Sequence, residues 1–237
     1  MKGDRATAKA KPQPRGAVAK KRKVKGGKPR ASRPQADHAP LELVEQDGEV
    51  TLFLSGAQAM QAWETELMCA SADILCTYGS EFLEVGLGLG ISALRIAQAP
   101  TTRRHVVIEK YPQVETWFRE RHAVPPNLEI VIADFFEYVE TIKPESLDGI
   151  FFDPALPMKM WNDEALWKRV TPLIVRSIRP GGCFVPFFST RPTLREQFYP
   201  YFNRVIIERR PFQAYEGTMY TYGTSGDAFI QCYVKTR

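Results

Sequence analysis

A doubly wound α/β domain is predicted by three features of the sequence. Short apolar runs alternate with amphipathic stretches from Phe82 to Tyr201, the rhythm of a parallel sheet with helices on both faces. A glycine-rich loop, Glu84-Val85-Gly86-Leu87-Gly88-Leu89-Gly90, joins the first run to the first stretch. The last two runs, Arg204–Arg209 and Ala228–Val234, have no helix between them, which implies an antiparallel edge. A helical cap over about residues 41–79 precedes the sheet.

The 237 residues are 44% hydrophobic and 25% charged, enough for one core with an extension. No apolar run approaches the roughly 18 residues that cross a bilayer. The N-terminus lacks the apolar stretch of a secretory signal. Cys69, Cys76, Cys183 and Cys232 are too scattered for a disulfide framework and lack the paired spacing of a zinc site. A reducing, cytoplasmic setting follows, and no metal site is expected.

The charge is unevenly placed. Residues 1–36 hold 13 of the 32 Lys and Arg against one acid, Asp4, a net +12, whereas the remainder holds 19 basic and 26 acidic residues, a net −7. The first 36 residues contain four prolines and no aromatic side chain. They cannot bury enough apolar surface to offset ordering, so a disordered tail is expected, followed by one domain over 37–237. Its cluster Lys20-Lys21-Arg22-Lys23-Val24-Lys25 resembles a nuclear-localisation signal, and equally a patch for nucleic acid. A plain solubilising tail is the simpler reading.

Within the domain, Leu41–Ser55 suits a short hairpin around Asp47-Gly48. Gln58–Leu75 carries apolar residues at Met60, Trp63, Leu67, Met68, Ala70 and Leu75, the spacing of an amphipathic helix. Strands are predicted at Phe82–Val85, His105–Ile108, Leu128–Ile132, Leu147–Phe152 and Cys183–Phe188. Helices are predicted at Ile91–Ala99, Pro112–Arg119, Phe135–Ile142, Ala165–Ile178 and Thr193–Tyr201, Pro112 suiting a first turn and Pro180-Gly181-Gly182 a stop.

The glycine loop carries the first chemical signal. Gly86, Gly88 and Gly90 permit unusual φ angles and let a ligand approach the backbone. Glu109 lies 23 residues beyond Gly86, at the end of the next strand, where an acid can take ribose hydroxyls. The glycines run GxGxG with Glu84 two residues ahead, unlike the GxGxxG of dinucleotide sites. This pattern resembles that of class I, Rossmann-like methyltransferases, which bind S-adenosylmethionine (AdoMet). The resemblance implies that Asp134 and Phe135, after the third strand, flank the adenine. Without a ligand they would be a helix cap and a core aromatic ring.

The fourth strand ends in Phe152-Asp153-Pro154-Ala155-Leu156-Pro157. Ligands of open α/β sheets lie beyond the carboxyl ends of the strands, so Asp153 points to the cofactor cleft. Upstream stands Trp63-Glu64-Thr65-Glu66-Leu67-Met68. WETxxM, LEVGxG, an Ile-Glu pair closing the second strand and the Asp-x-x-x-Pro strand end together resemble the guanidinoacetate N-methyltransferase family, from about Leu52 onward. That resemblance implies that Glu64 and Asp153 bind a guanidino group and that Met68 touches AdoMet. It also implies that a polar turn after the fifth strand, here Ser189-Thr190-Arg191, holds the substrate's acidic end. Pro154, that turn and the aromatic-rich Tyr215–Tyr222 segment depart from the animal enzyme's pattern.

The chemistry agrees with those roles. A guanidinium has a pKa of roughly 12.5–13.8 and five N–H donors in a planar fork, for which two carboxylates are the matching acceptors. Methylation needs a nitrogen lone pair, so a proton must leave as the C–N bond forms. Asp153 is the expected acceptor, with Glu64 orienting the group. Guanidinoacetate, arginine, a related small compound and an arginine side chain in a peptide all fit, on a monomer or homodimer. An alternative is amino-group methylation of nucleic acid, from the DPALP motif and the basic tail, in which nucleic acid is held through the tail only. It leaves WETELM unexplained. A methyltransferase-fold module without activity fits less well, because the loop and acids are complete. His38, His105 and His122 are expected to be surface or strand-end residues without catalytic duty.

Overall fold

β4 (Glu81–Val85) lies inside a seven-stranded sheet, between two neighbouring strands, and is buried on both faces from Phe82 to Val85. The computed structural model describes residues 40–237, so the basic tail and its charge cluster lie outside the described residues. Around β4 stand β5 (Arg104–Glu109), β6 (Leu128–Ile132), β7 (Leu147–Phe152), β8 (Ile178–Pro186), β9 (Arg204–Gln213) and β10 (Ser225–Val234). Their order is β6-β5-β4-β7-β8-β10-β9. The first five are parallel, while β10 runs antiparallel to both β8 and β9. The doubly wound sheet and its antiparallel last pair are those expected from the sequence.

Helices α1 (Thr65–Cys76), α2 (Ile91–Gln98), α3 (Pro112–Arg121), α4 (Phe135–Tyr138), α5 (Met158–Trp161) and α6 (Glu164–Ser177) connect or flank the strands. Pro112 opens α3, and the side chain of Asp163 caps α6 by accepting the Leu166 N–H. On one face, Leu67, Met68, Ala72 and Leu75 of α1 pack with Phe82, Phe151 and Val185. Trp167, Val170 and Ile174 of α6 pack with Phe152 and Phe184 in a second cluster. Both sheet faces are thereby closed.

The cap differs from expectation in its first half. β1 (Leu41–Gln46) and β2 (Glu49–Leu54) form the expected hairpin, with Asp47 and Gly48 both at positive φ (53° and 81°). β3 (Ala57–Gln61) then adds a third antiparallel strand. A second turn at Ser55 and Gly56, also at positive φ, reverses the chain and commits Gln58–Gln61 to pairing with β2. The helix expected from Gln58 therefore begins only at Thr65, after a single 3-10 turn at Ala62–Glu64.

Thr193–Tyr201 also departs, being irregular chain, a turn over residues 196–198 and one 3-10 turn at Tyr199–Tyr201 instead of a helix. Side chains of β10 hold the start of this segment and take the Thr193 carbonyl that a helix would have used. Gln231 Nε2 donates to the Thr193 carbonyl (2.7 Å), and the Arg195 N–H donates to Tyr233 Oη (3.2 Å). Among the described residues no helix is long and apolar enough to cross a membrane.

Candidate active site

The carboxyl ends of β4 and β7 are stitched together by the backbone. The Asp153 N–H donates to the Val85 carbonyl (3.0 Å), and the Gly86 N–H donates to the Ile108 carbonyl (2.9 Å). Gly86 has φ +90°, and a Cβ on it would lie 2.6 Å from the Asp153 carbonyl oxygen. Only glycine permits this approach, so the loop and the Asp153 turn form one wall. Gly88 (φ +51°) and Gly90 (φ +77°) carry the loop into α2. A Cβ on Gly88 would meet Met60 Sδ at 2.5 Å, and one on Gly90 would strike the Phe118 ring.

Glu109 braces the loop from beneath. Its Oε2 accepts the Leu87 N–H and its Oε1 accepts the Tyr111 N–H, each at 2.8 Å. The Lys110 amide also favours its charged form, and a carboxylate's four or so lone-pair sites leave room beside these three amides for a hydroxyl donor. Burial raises the pKa of Glu109, while those amides pull it back.

Glu64 belongs to the cap. Its Oε1 accepts the Gln61 N–H (2.7 Å), closing a capping box, and also the Tyr220 hydroxyl (2.5 Å). The side chain is buried, and burial raises its pKa from 4.5 to about 7 against the pull of Tyr220 and Gln61. Asp153 is raised well above 3.8, first by burial and then by the neighbouring charges of Glu64 and Glu84, with Arg195 opposing. Tyr220 is raised by burial and by the charges of Glu64 and Asp153. Each of the three groups senses the other two or is bonded to one of them. Glu64, on the 3-10 turn that precedes α1, is thus near enough for its charge to act on Asp153 beyond β7.

Not every residue expected at the site faces it. Glu84 is a correction: its carboxylate is fully buried behind the loop, accepting the Ser92 hydroxyl and lying 3.1 Å from His105 Nε2. The alternation of a strand sends it to the opposite side from the loop's ligand face. His105 is accordingly a buried strand-end residue, at the start of β5, and not a surface one. Met68 is 1% exposed and packs in the core beneath α1, whereas the thioether that reaches the glycine loop is that of Met60, which takes the Leu89 N–H at 3.2 Å. Asp134 caps α4, accepting the Phe136 N–H (2.9 Å) and pairing with Lys110 (3.2 Å). Phe135 is a core ring set edge-on against Phe152.

Ser189 lies at a bridge with Phe229, and its Oγ accepts the Arg191 N–H (3.1 Å). Thr190 Oγ1 accepts the Tyr222 N–H (2.9 Å), and the Arg191 guanidinium stands 5.2 Å from the Tyr222 ring. Arg195 went unsingled in the sequence. It lies over the Phe187 ring (3.7 Å) and donates Nη2 to the Phe187 and Phe188 carbonyls. Burial lowers its pKa to about 10, with Tyr233 and Asp153 favouring the charged form.

A loop of positive-φ glycines at the carboxyl edge of the sheet, with a buried acid beneath it, fits a nucleoside-bearing cofactor that has no pyrophosphate to hold. The fold recurs in spermidine synthase from Thermotoga maritima, with 17% identity over 82% of this chain and 72% of that chain and a TM-score of 0.56. It recurs in a spermidine synthase complexed with the transition state analogue AdoDATO, with 16% identity over 82% and 73% and a TM-score of 0.56. Precorrin-6y C5,15-methyltransferase from Geobacter metallireducens GS-15 shares it too, with 17% identity over 71% and 87% and a TM-score of 0.51. At these identities the likeness is one of fold. Fold and site define a class I AdoMet-dependent methyltransferase. Residues 29–189 match the guanidinoacetate N-methyltransferase family, and the chain belongs to it.

Proposed function

We propose that the chain methylates a guanidino nitrogen of a small molecule such as guanidinoacetate, arginine or a close relative. One observation carries this reading: two buried carboxylates, Glu64 from the cap and Asp153 from the sheet rim, lie near enough for the charge of Glu64 to raise the cost of ionising Asp153, and burial disfavours the ionisation of both. Such a pair is expensive without a cation, and a planar guanidinium matches it in charge and in shape.

AdoMet, when bound, supplies an electrophilic methyl group. Gly86, Gly88 and Gly90 would admit its methionine part, Met60 would border that part, and Glu109 would take ribose hydroxyls. Asp134 and Phe135 would lie at the adenine, with Asp134 sharing its carboxylate between that duty and the α4 cap. Glu64 and Asp153 hold the guanidino group so that one nitrogen faces the methyl group. As the C–N bond forms and the bond from the methyl group to the cofactor's sulfur breaks, that nitrogen would give a proton to Asp153, so the methylated product keeps the single positive charge of a guanidinium. Ser189, Thr190 and Arg191 lie on the turn after β8 and would receive an acidic group at the substrate's other end. The Tyr215–Tyr222 segment is bonded to both Thr190 and Glu64. That strapping favours a small substrate over an arginine held in a protein surface.

The test is transfer of radiolabelled methyl from AdoMet to guanidinoacetate, arginine, agmatine, an arginine-containing peptide mixture and RNA. Label is expected in a small guanidino compound. Label confined to peptide would shift the substrate class, and salt-sensitive label confined to RNA would overturn the guanidino reading.

A further inference from the structure

The aromatic-rich segment between β9 and β10 is tied to the cap at several points. Gln58 Nε2 donates to the Gly217 carbonyl (2.8 Å), and the Met219 N–H returns to Gln58 Oε1 (2.8 Å). The Thr218 hydroxyl donates to Gln61 Oε1 (2.6 Å), which also accepts Trp63 Nε1–H (2.9 Å). The Tyr220 ring stacks on Trp63 at 6.2 Å between centroids and 21° between planes. Trp63 in turn packs on Phe188 and Phe212. Tyr220 is therefore fixed by its ring and by the backbone on either side of it before its hydroxyl makes any bond.

That hydroxyl meets Glu64 on Oε1, the same oxygen that accepts the Gln61 N–H. Both donors fall on one oxygen, so the second oxygen, Oε2, is the one turned to a ligand.

We propose that Tyr220 is a positioning residue for the guanidino substrate: by occupying Oε1 of Glu64 it fixes the carboxylate plane and commits Oε2 alone to the substrate, opposite Asp153. The inference rests on the reading of Glu64 as a guanidino ligand and extends it to a residue 156 positions away in the chain. Recognition is then asymmetric, with Glu64 contributing one oxygen and Asp153 taking the nitrogen that loses its proton.

The groups that set the charge of this pair are few. Glu64 faces Tyr220 from the β9–β10 segment, the Gln61 amide from β3 and Asp153 from beyond β7. Asp153 faces Glu64, Glu84 of β4 and Arg195. Tyr220 is the one side chain that donates to Glu64 among the described residues. Without its hydroxyl, burial is less opposed, and Glu64 must hold its proton to higher pH.

Tyr220→Phe keeps the ring on Trp63 and removes the hydroxyl, which donates to Glu64 and also accepts from Trp63. The probe is whichever of guanidinoacetate, arginine or agmatine is methylated fastest. In this variant KM for that compound is expected to rise about tenfold at pH 7, with kcat within about threefold and KM for AdoMet unchanged. The acid limb of kcat/KM should move to higher pH by about one pH unit. In a Glu64→Gln background, adding Tyr220→Phe should move nothing further, because the titrating carboxylate is gone. Thermal melting and AdoMet binding of each variant confirm that it folds. A Tyr220→Phe profile superimposable on that of the parent overturns the proposal, as does a shift that persists in the Glu64→Gln background. If Glu64→Gln alone methylates the probe like the parent, the reading of Glu64 fails as well, which separates the two failures.

Discussion

Asp153→Asn is expected to lower methyl transfer by about 10³-fold while changing AdoMet affinity less than about threefold. The carboxamide is nearly isosteric, and the Asp153 N–H to Val85 bond that fixes the turn is a backbone bond, which the substitution leaves alone. What is lost is the acceptor for the departing proton and half of the charge that holds the cation. Loss of a general base alone costs roughly 10²–10⁴ in rate. Single-turnover kinetics with a calorimetric AdoMet titration separates the two effects. Turnover within tenfold of the parent would remove Asp153 from the role of base.

Glu64→Gln is expected to act in two opposite directions. Catalytic efficiency toward the guanidino substrate should fall about 10²-fold, mostly through KM, because a buried cation loses its second counter-charge. The free protein should nevertheless become more stable at alkaline pH. The sign follows from Glu64's pKa, which rises from 4.5 to about 7 in the folded state. A raised carboxyl pKa contributes stability that is fully present below the unfolded value, near 4.5. That contribution is lost as pH rises through about 7, where the buried group must ionise. The rise corresponds to about 3 kcal/mol. Glutamine carries no such cost, and its carbonyl can still accept the Gln61 amide and the Tyr220 hydroxyl. Its melting temperature is therefore expected to exceed the parent's by several degrees at pH 8 and to match it near pH 4.5. Equal offsets at both pH values would mean that Glu64 is not held near-neutral in the free protein.

This opposition is what a binding site built for a cation looks like before the cation arrives. On the proposed function, stability is sacrificed at Glu64 and Asp153, and a bound guanidinium would restore it. The reading also explains why the site draws on two distant stretches of chain. A single helix or strand cannot present two carboxylates to opposite edges of one planar group, whereas a cap laid against a sheet rim can.

Much of this was legible in the sequence because it is local. The glycine spacing, the acid at the end of β5 and Asp153 at the end of β7 follow from strand-loop-helix order, and the parallel sheet was read from the alternation of β and α units. What failed was also physical. Gln58–Gln61 has helical apolar spacing, but the Ser55-Gly56 turn couples it to β2, and pairing overrides periodicity. Thr193–Tyr201 has a helical pattern, but Gln231 and Tyr233 compete for its backbone. Glu84 carries the right residue type beside the glycines, and its strand phase turns it inward toward Ser92 and His105. Tyr220 gave no local signal at all. It meets Glu64 only because the β9–β10 connection folds back over the cap, a contact between residues 156 apart. The segment was visible as unusually aromatic, but its partner was not.

The central claim is that Glu64 and Asp153 jointly grip a guanidinium, and proton counting tests it most directly. Burial raises both carboxyl pKa values, that of Glu64 to about 7, so the free site holds part of a proton near pH 7. Arrival of a cation must drive that proton off. Titration of guanidinoacetate, arginine or agmatine into the protein saturated with S-adenosylhomocysteine, repeated at pH 7 in buffers of different ionisation enthalpy, reads the number released. Net proton release is expected, and less of it in Glu64→Gln, where only Asp153 remains to give one up. Tight binding with no proton exchange in the parent, or the same release in the variant, would contradict the shared grip.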